Sequence, residues 1–519
     1  MRVRTLAGAA AGVAAVTVAS RVVGFGRVAV LSRAVGTSCV GDTYQAANSI
    51  PNVVFEVVAG GALASLVVPV LAGAVAAGDR ETAGRVASAL LSWTVLLLTP
   101  VAAVGMLIAP WLMRALVGNG PECGRPMLQV GGRMLVVFLP QVLLYGVGIV
   151  LGGILQAHRR FLGPAIAPLL SSLVVISAYL LYAAQGATAL DRLPRRQELT
   201  LSVGTTLGVA VLSLGLLVPV ARCGLRLRPS LTFPPGIAVR VRRLAIAGVA
   251  ALAAQQLALV VALRLASHGT EGSVVVFQVA TALFLLPWAV LAVPLATTAF
   301  PSLAATAESG DVRAYAEIAR RSLVGVLVAM LGGVALLVAV AGPAARILAA
   351  GVPGPESVGS LSRATAAFAP GLVGYGLIAL LGRALYARGD GRTPATATVT
   401  GWVVVAVTDM ALVSAVPGMS RVVALGIGNS AGMTVAGALL LLGLRRAAPQ
   451  ALTGGTRTAG VCLLGCGLAL AAAAVVPSLG RSVPASLATA AVLAVVVTVV
   501  YAAVVRLLDP AALRALIHA

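Results

Sequence analysis

The sequence predicts an all-α polytopic membrane protein. Fourteen transmembrane helices are expected, as two six-helix lobes formed by a parallel repeat and two further C-terminal helices. Three observations carry this. Mean hydropathy is +1.03 and only 10% of residues are charged, against about 25% in a soluble domain. Apolar runs of 18 or more residues recur from end to end, each long enough to cross a hydrocarbon core as a helix. The chain also repeats itself at an offset of 230–232 residues.

The apolar segments are taken in order. They cover roughly 7–34, 43–76, 86–110, 129–156, 162–186, 199–221, 240–266, 273–300, 320–342, 362–387, 394–416, 420–444, 456–477 and 484–507. The first is followed by many others and lacks a small-residue cleavage site, so it reads as a span and not as a cleaved signal. An even number of spans puts both termini on one side. With that side cytoplasmic, the inner loops collect Arg80, Arg85, Arg159, Arg160, Arg388, Arg392, Arg445, Arg446 and Arg457, as the positive-inside rule requires. The "DRLPRRQE" loop at 191–198 is an exception.

The repeat has two anchors. "YGVGIVLGGILQAHRRFLGP" (145–164) aligns without gaps on "YGLIALLGRALYARGDGRTP" (375–394), and "PVLAGAVAAGD" (69–79) on "PSLAATAESGD" (301–311). An offset of six helices preserves orientation, so the halves are expected to be parallel repeats about an axis along the membrane normal. The expected division is residues 1–225 for the first lobe, 226–447 for the second, and 448–519 for the last two helices and tail.

The net charge of +22 comes from Arg alone, with no Lys. These arginines sit mostly in short loops between apolar runs. That pattern suits anionic lipid headgroups and not nucleic acid. The five cysteines have no metal-ligand or redox spacing. Cys462 and Cys466 lie one turn apart in an apolar run and read as core. Cys39 and Cys123 fall in loops on the expected outer side, where a disulfide and two free thiols remain alternatives. No catalytic motif, cofactor motif or metal cluster is present, so the chain does not read as an enzyme.

The first segment carries Arg21, Arg27 and Arg33 at six-residue intervals. On an ideal helix six residues turn about 600°, so the three point roughly 120° apart. Gly24 and Gly26 are where the helix can bend and turn Arg21 and Arg27 toward one interior. Arg33 can snorkel to the interface. An Arg at mid-membrane is costly and by default serves a watery cavity or an anionic ligand. Asp42, at the start of the second segment, is either a helix N-cap or an acid that pairs with one of these arginines. Pro51 should kink that segment. Glu56 is an intramembrane acid that needs a partner or a proton, with Arg21 or Arg27 nearest in sequence. Gly60 and Gly61 permit close helix packing. In the second half Arg264 ends the seventh segment, Arg383 lies in the tenth and Asp409 deep in the eleventh. Asp409 could hold a cation or proton, or be neutral and packed.

These residues resemble a known family. "SRVVGFGR" (20–27), Asp42, "PN" (51–52) and "GGALASLVVPVLA" (60–72) are similar to the opening of the MurJ/MviN lipid II flippases. "GGILQAHRRFLGPAIAP" (152–168) and "GRALYARGDGRTP" (382–394) resemble two of that family's helix junctions. The resemblance implies the multidrug/oligosaccharidyl-lipid/polysaccharide exporter fold. It also implies translocation of lipid II, the undecaprenyl-diphosphate-linked peptidoglycan precursor, across the bacterial cytoplasmic membrane. Arg21, Arg27 and Asp42 match positions the family uses in its cavity. Two departures stand out. Phe55 and Glu56 occupy a neighbourhood where other members carry an Arg, and Thr281 and Ala282 stand where they carry an Asp-Arg pair.

The substrate-binding set expected is therefore Arg21, Arg27, Asp42, Asn52, Glu56, Arg264 and Arg383. Arginine pairs bidentately with phosphate and stays charged, which suits a diphosphate headgroup. The partners implied are lipid II or a related polyprenyl-diphosphate-linked saccharide, membrane lipids, and a monovalent cation or the membrane potential as driving force. The termini are expected to be cytoplasmic. Two alternatives stand beside this: a drug or cation antiporter of the same fold, favoured by Glu56 and Asp409, and a transport-inactive scaffold, favoured by the missing charges at 281 and 282.

Overall fold

The computed structural model describes residues 2–57, 67, 71, 74–75, 77–118, 123–186, 188–225, 227–232, 237–348, 355–416 and 418–518. For 2–15, 18, 237–250, 355–357 and 517–518 it describes the backbone alone. The described residues form helices and no strands.

In chain order these are α1 (Arg2–Ala34), α2 (Cys39–Phe55), α3 (Arg80–Leu107), α4 (Ala109–Val117), α5 (Gly124–Phe138), α6 (Pro140–Ala157), α7 (Leu162–Ala184), α8 (Arg195–Leu214), α9 (Leu217–Ala221) and α10 (Ile237–Ser267). They continue with α11 (Ser273–Pro287), α12 (Val293–Glu308), α13 (Val312–Leu348), α14 (Pro355–Phe368), α15 (Gly371–Ala387), α16 (Arg392–Ala415), α17 (Arg421–Ala447), α18 (Gly455–Ala474), α19 (Val483–Leu508) and α20 (Pro510–His518).

Among the described residues, ten helices or joined helices are long and apolar enough to span a membrane. An eleventh results if α14 and α15, bent by 43° at their junction, make one span. The other expected segments are 7–34, 43–76 and 240–266. Helices α1 and α10 occupy the first and third; α2 begins the second, whose later half lies largely outside the described residues, with Gly60 and Gly61. The described helices are consistent with the fourteen-segment reading.

The chain divides into two compact units, Met1–Gln256 with Thr270–Val275, and Leu257–Gly269 with Val276–Ala519. In the first, α1 packs on α7, α7 on α8, and α3 on α6. Its core joins Val67, Leu71, Val86, Leu90, Val150, Leu151 and Ile154. In the second, α13 is the central post, and α12, α15, α18 and α19 pack around it. Cys462 and Cys466 are buried in that core. Small residues bring its helices close. A Cβ on Gly374 would lie 2.0 Å from the Met433 carbonyl oxygen, and one on Gly432 2.4 Å from that of Gly401, the close approach that glycine permits between membrane helices.

The repeat is visible in local structure. Asp79 caps α3 by accepting the Thr82 amide at 2.9 Å, and Asp311 caps α13 by accepting the Ala314 amide at 2.9 Å. Each follows a glycine with positive φ, Gly78 at 71° and Gly310 at 74°. An Asp side chain at this position satisfies amides that the first helical turn leaves open.

Candidate functional site

The expected residues are placed as follows. Helix α1 runs as unbroken α-helix through Gly24, Phe25 and Gly26. Arg21 and Arg33 are exposed and Arg27 is half-buried. Helix α1, which carries Arg27, packs on α7, which carries Tyr179. No carboxylate among the described residues forms an ion pair with Arg21 or Arg27.

Tyr44, Tyr145 and Tyr179 lie on α2, α6 and α7. Tyr44 is fully buried, and its hydroxyl bonds Tyr179 Oη at 2.8 Å and Thr205 Oγ1 at 2.7 Å. Thr205 donates its own proton to the Leu201 carbonyl, so it must accept from Tyr44. With that proton committed, Tyr44 accepts from Tyr179. The relay has one direction, Tyr179 to Tyr44 to Thr205 to Leu201, and it ties α7 and α8 to α2. Edge-to-face rings of Phe138 and Tyr179 hold Tyr44 in place.

Glu56 follows α2 in a wider π-type turn at Glu56–Val57, after Pro51 and a helix end at Phe55. It is half-buried. The expected pairing with Arg21 or Arg27 does not form. Phe55, beside Glu56 in sequence, packs its ring on Tyr145 at 4.6 Å between centroids. A crevice of about 300 Å³ opens there, lined by Phe55, Tyr145, Ile149, Gln156, Leu212 and Ser213. Asn52 turns inward on its own helix, donating Nδ2–H to the Asn48 carbonyl at 2.9 Å.

Asp42 takes neither of its expected roles. The N-cap of α2 is Ser38, which accepts from the Gly41 amide. Asp42 is 3% exposed and accepts the Gly272 amide at 2.9 Å and the Val275 amide at 3.0 Å. The second lies in the first turn of α11. In return Glu271 accepts the Cys39 amide at 2.9 Å, at the start of α2. Each helix N-terminus thus receives the other segment's carboxylate, where the helix dipole favours negative charge. Close approach requires small residues here. A Cβ on Gly41 would meet Val275 at 2.9 Å, and one on Gly272 would meet Thr37 at 2.6 Å. Cys39 is disulfide-bonded to Cys123, with Cα atoms 5.5 Å apart, which ties the start of α2 to the start of α5.

In the second unit Arg264 is exposed in the last turn of α10. Arg383 is half-buried and donates Nη1–H to the Ala379 carbonyl of its own helix at 2.6 Å. Asp409 is 1% exposed, and neither carboxylate oxygen has a hydrogen-bond partner. Gly428 closes against it, with no room for a Cβ. Among the described residues no group of three His, Cys, Asp or Glu could hold a metal ion.

The sequence pattern of the family described as "Lipid II flippase MurJ" matches residues 31–505. The chain belongs to the MurJ family. It is similar to the "Probable lipid II flippase MurJ" of Rhizobium tropici, 28% identical over 388 residues, covering 74% of this chain and 71% of the relative. It also resembles the "Lipid II flippase MurJ" of Burkholderia cenocepacia, 26% identical over 442 residues, 84% and 83% of the two chains. Among solved structures, a "Lipid II flippase MurJ, inward closed conformation" matches with a TM-score of 0.74 at 16% identity, over 95% of this chain and 98% of that one. An inward-facing multidrug resistance MATE family transporter of the MOP superfamily matches with a TM-score of 0.68 at 17% identity, over 82% and 94%. MurJ membership makes this a multi-pass membrane protein of transporter type, and the structural likeness fixes its fold.

Proposed function

We propose that this chain flips lipid II, or a closely related polyprenyl-diphosphate-linked saccharide, from the inner to the outer leaflet by alternating access of two lobes. One observation carries the reading within the MurJ family: Arg27 is half-buried on α1, and no carboxylate among the described residues forms an ion pair with it. A half-buried guanidinium without a counter-ion suits a diphosphate, which it can grip through paired N–H bonds. Arg21, about one and two-thirds turns earlier on α1, supplies a second charge. Asn52 and Glu56 flank the path in the first lobe, and Arg264 and Arg383 act from the second. The lobes are residues 1–225 and 226–447, with 448–519 as an added pair of helices and a tail. The termini lie in the cytoplasm, and the disulfide end of the helices faces outward.

The reciprocal caps at Asp42 and Glu271 hold the start of α11 against α2 within the first compact unit, and they would control release of that start during the cycle. Asp409 is the candidate for coupling to a proton or monovalent cation, since its carboxylate is buried without a partner. The membrane potential is the other candidate driving force.

The uncharged pair Thr281 and Ala282 favours a second reading, a family member that no longer transports. Complementation of a flippase-depleted bacterium, with leaflet-specific detection of lipid II, separates the two. Restored growth with lipid II in the outer leaflet is expected. Normal insertion with lipid II retained inside would assign the scaffold role.

A further inference from the structure

The connection from α7 to α8, with the first turn of α8, carries Arg192, Arg195 and Arg196, which the proposed transport does not use. The segment is anchored and not slack. Leu190, Leu193, Gln197 and Glu198 are buried. Gln197 donates Nε2–H to the Gln185 carbonyl at 3.2 Å and to the Gly186 carbonyl at 3.1 Å. Glu198 accepts from Arg195 and from Arg133 of α5, and α5 packs on α8 and on the turn at 190–192. Between these anchors Asp191, Arg192, Pro194, Arg195 and Arg196 are exposed.

Two physical preferences oppose cations here. A helix start is the positive end of the macrodipole, yet Arg195 and Arg196 occupy the first turn of α8. Outer loops of a membrane protein are poor in Arg, and the orientation proposed above makes this side outer. Glu198 accounts for part of the charge, since it is buried against Arg133 and Arg195. Arg196 forms no ion pair among the described residues. Arg192 reaches only Asp191, at 3.8 Å, with side chains 85% and 59% exposed. Such a surface pair adds little to folding.

The chemistry of the surface indicates its partner. No large apolar side chain is exposed among residues 190–198, so nothing there holds a lipid tail or an apolar ligand. Guanidinium groups pair with carboxylates and phosphates. Asp191 decides between a polyanion and a protein. A chain of uniform negative charge meets repulsion at Asp191, whereas a folded partner can set acids opposite the arginines and a base opposite the Asp. The buried anchors hold the arginines in place beforehand, which lowers the ordering cost of docking.

Resting on the proposed orientation but not on the cargo, we propose that Arg192, Arg195 and Arg196 dock an acidic extracytoplasmic segment of a partner protein. Asp191 takes a basic residue of the same partner.

The test places the full chain in phosphatidylcholine nanodiscs, with an environment-sensitive dye on Pro194→Cys in a Cys223→Ser background. The probes are a Glu-rich peptide bearing a single Arg and a polyphosphate of the same net charge. The peptide should change the dye signal saturably. Arg192→Gln combined with Arg196→Gln should bind it about tenfold more weakly, the scale of two exposed ion pairs, with the unfolding temperature unchanged. Arg445→Gln with Arg446→Gln, in the last turn of α17, should bind it as the wild type does. No saturable response, or undiminished binding by the Arg192→Gln and Arg196→Gln variant, would overturn the proposal. Tighter binding of polyphosphate would assign a polyanion site in its place. Loss of peptide binding in phosphatidylglycerol nanodiscs would assign the arginines to lipid headgroups. In intact cells an impermeant thiol reagent should label Pro194→Cys. Absence of labelling would refute the orientation and the proposal with it, whereas labelling without peptide binding would overturn the proposal alone.

Discussion

Arg159 and Gly389, 230 residues apart, occupy the same left-handed turn, with φ of 57° and 79°. Each follows a helix end. The Arg159 amide reaches the Gln156 carbonyl and the Arg160 amide that of Leu155, while the Gly389 amide reaches Tyr386 and the Asp390 amide Leu385. The second repeat uses the residue that adopts this conformation freely, and the first holds an Arg in it. A side chain in this region costs about 1 kcal/mol or somewhat more. Gly389→Ala should therefore lower stability by about 1 kcal/mol, while Arg159→Gly should be neutral or slightly stabilising. Thermal unfolding in one detergent checks both. A destabilised Arg159→Gly would mean that the side chain contributes more than the backbone strain removes.

This turn shows why much of the fold was readable from the sequence. Hydropathy sums over about 20 residues per span, so one substitution cannot hide a helix, and a gapless repeat with Pro164 over Pro394 preserves turns even where identities are lost. The site was less legible. Arg27 stood out because charge is rare in an apolar run. Tyr44, Tyr145, Tyr179 and Thr205 did not, because they come from four helices and no local spacing announces their meeting. Asp42 was noticed as an acid at a helix start, but its partners, backbone amides some 230 residues away, leave no trace in side-chain pattern. The "DRLPRRQE" loop, an exception to the charge asymmetry, finds part of its explanation in Glu198.

Glu198 is 1% exposed and accepts from Arg133 through Nε at 3.0 Å and Nη2 at 2.7 Å, as well as from Arg195. Arg133 lies on α5, so the pair binds α5 to α8. A paired buried carboxylate tolerates loss of its charge poorly, though Arg133 is 45% exposed and partly screened by solvent. Glu198→Gln should cost about 1–3 kcal/mol, read as a lower unfolding temperature. An unchanged midpoint would show that the pair contributes nothing net.

The exposed cap at Asp79 should respond to acid. Its carboxyl is held below the usual range chiefly by the Thr82 amide, so the charged form is favoured in the folded state. The cap's contribution is complete above the ordinary carboxylate range of about 4. It is lost as pH falls through the lowered folded value. Hydrogen-exchange protection of the first turn of α3, corrected for intrinsic rates, should fall in that window and not at higher pH. Asp79→Asn should flatten the dependence. A loss of protection between pH 6 and 8 would point to another group.

Asp42→Asn keeps the size but leaves one acceptor oxygen where two amides now find a carboxylate. The variant should weaken the hold on the start of α11, and amides at 272 and 275 should exchange faster. Reducing the Cys39–Cys123 bond should loosen the start of α2 as well. If the caps are a latch, the two changes applied together should fall short of additivity in a flipping assay, because both act on the hold that the start of α2 has on α11. Full additivity, or no change in exchange, would leave Asp42 as a packing residue.

Arg27 offers the most direct test of the anion site. Arg27→Ala should abolish flipping while insertion and unfolding temperature stay close to wild type, since no ion pair is lost. Arg27→Lys should recover little, because an ammonium keeps the charge but loses the planar fork. Loss of a charge-assisted bond is worth about 1.5–3 kcal/mol, or roughly ten- to a hundredfold in headgroup affinity. Tyr44→Phe separates positioning from charge. It cuts the relay between Tyr179 and Thr205 without touching Arg27, so headgroup affinity should fall less than in Arg27→Ala. The loss in Tyr44→Phe should also persist when ionic strength is raised, whereas wild-type binding through Arg27 weakens with salt. A fully active Arg27→Ala at matched expression would remove the cation from the mechanism and favour the reading in which this chain no longer transports.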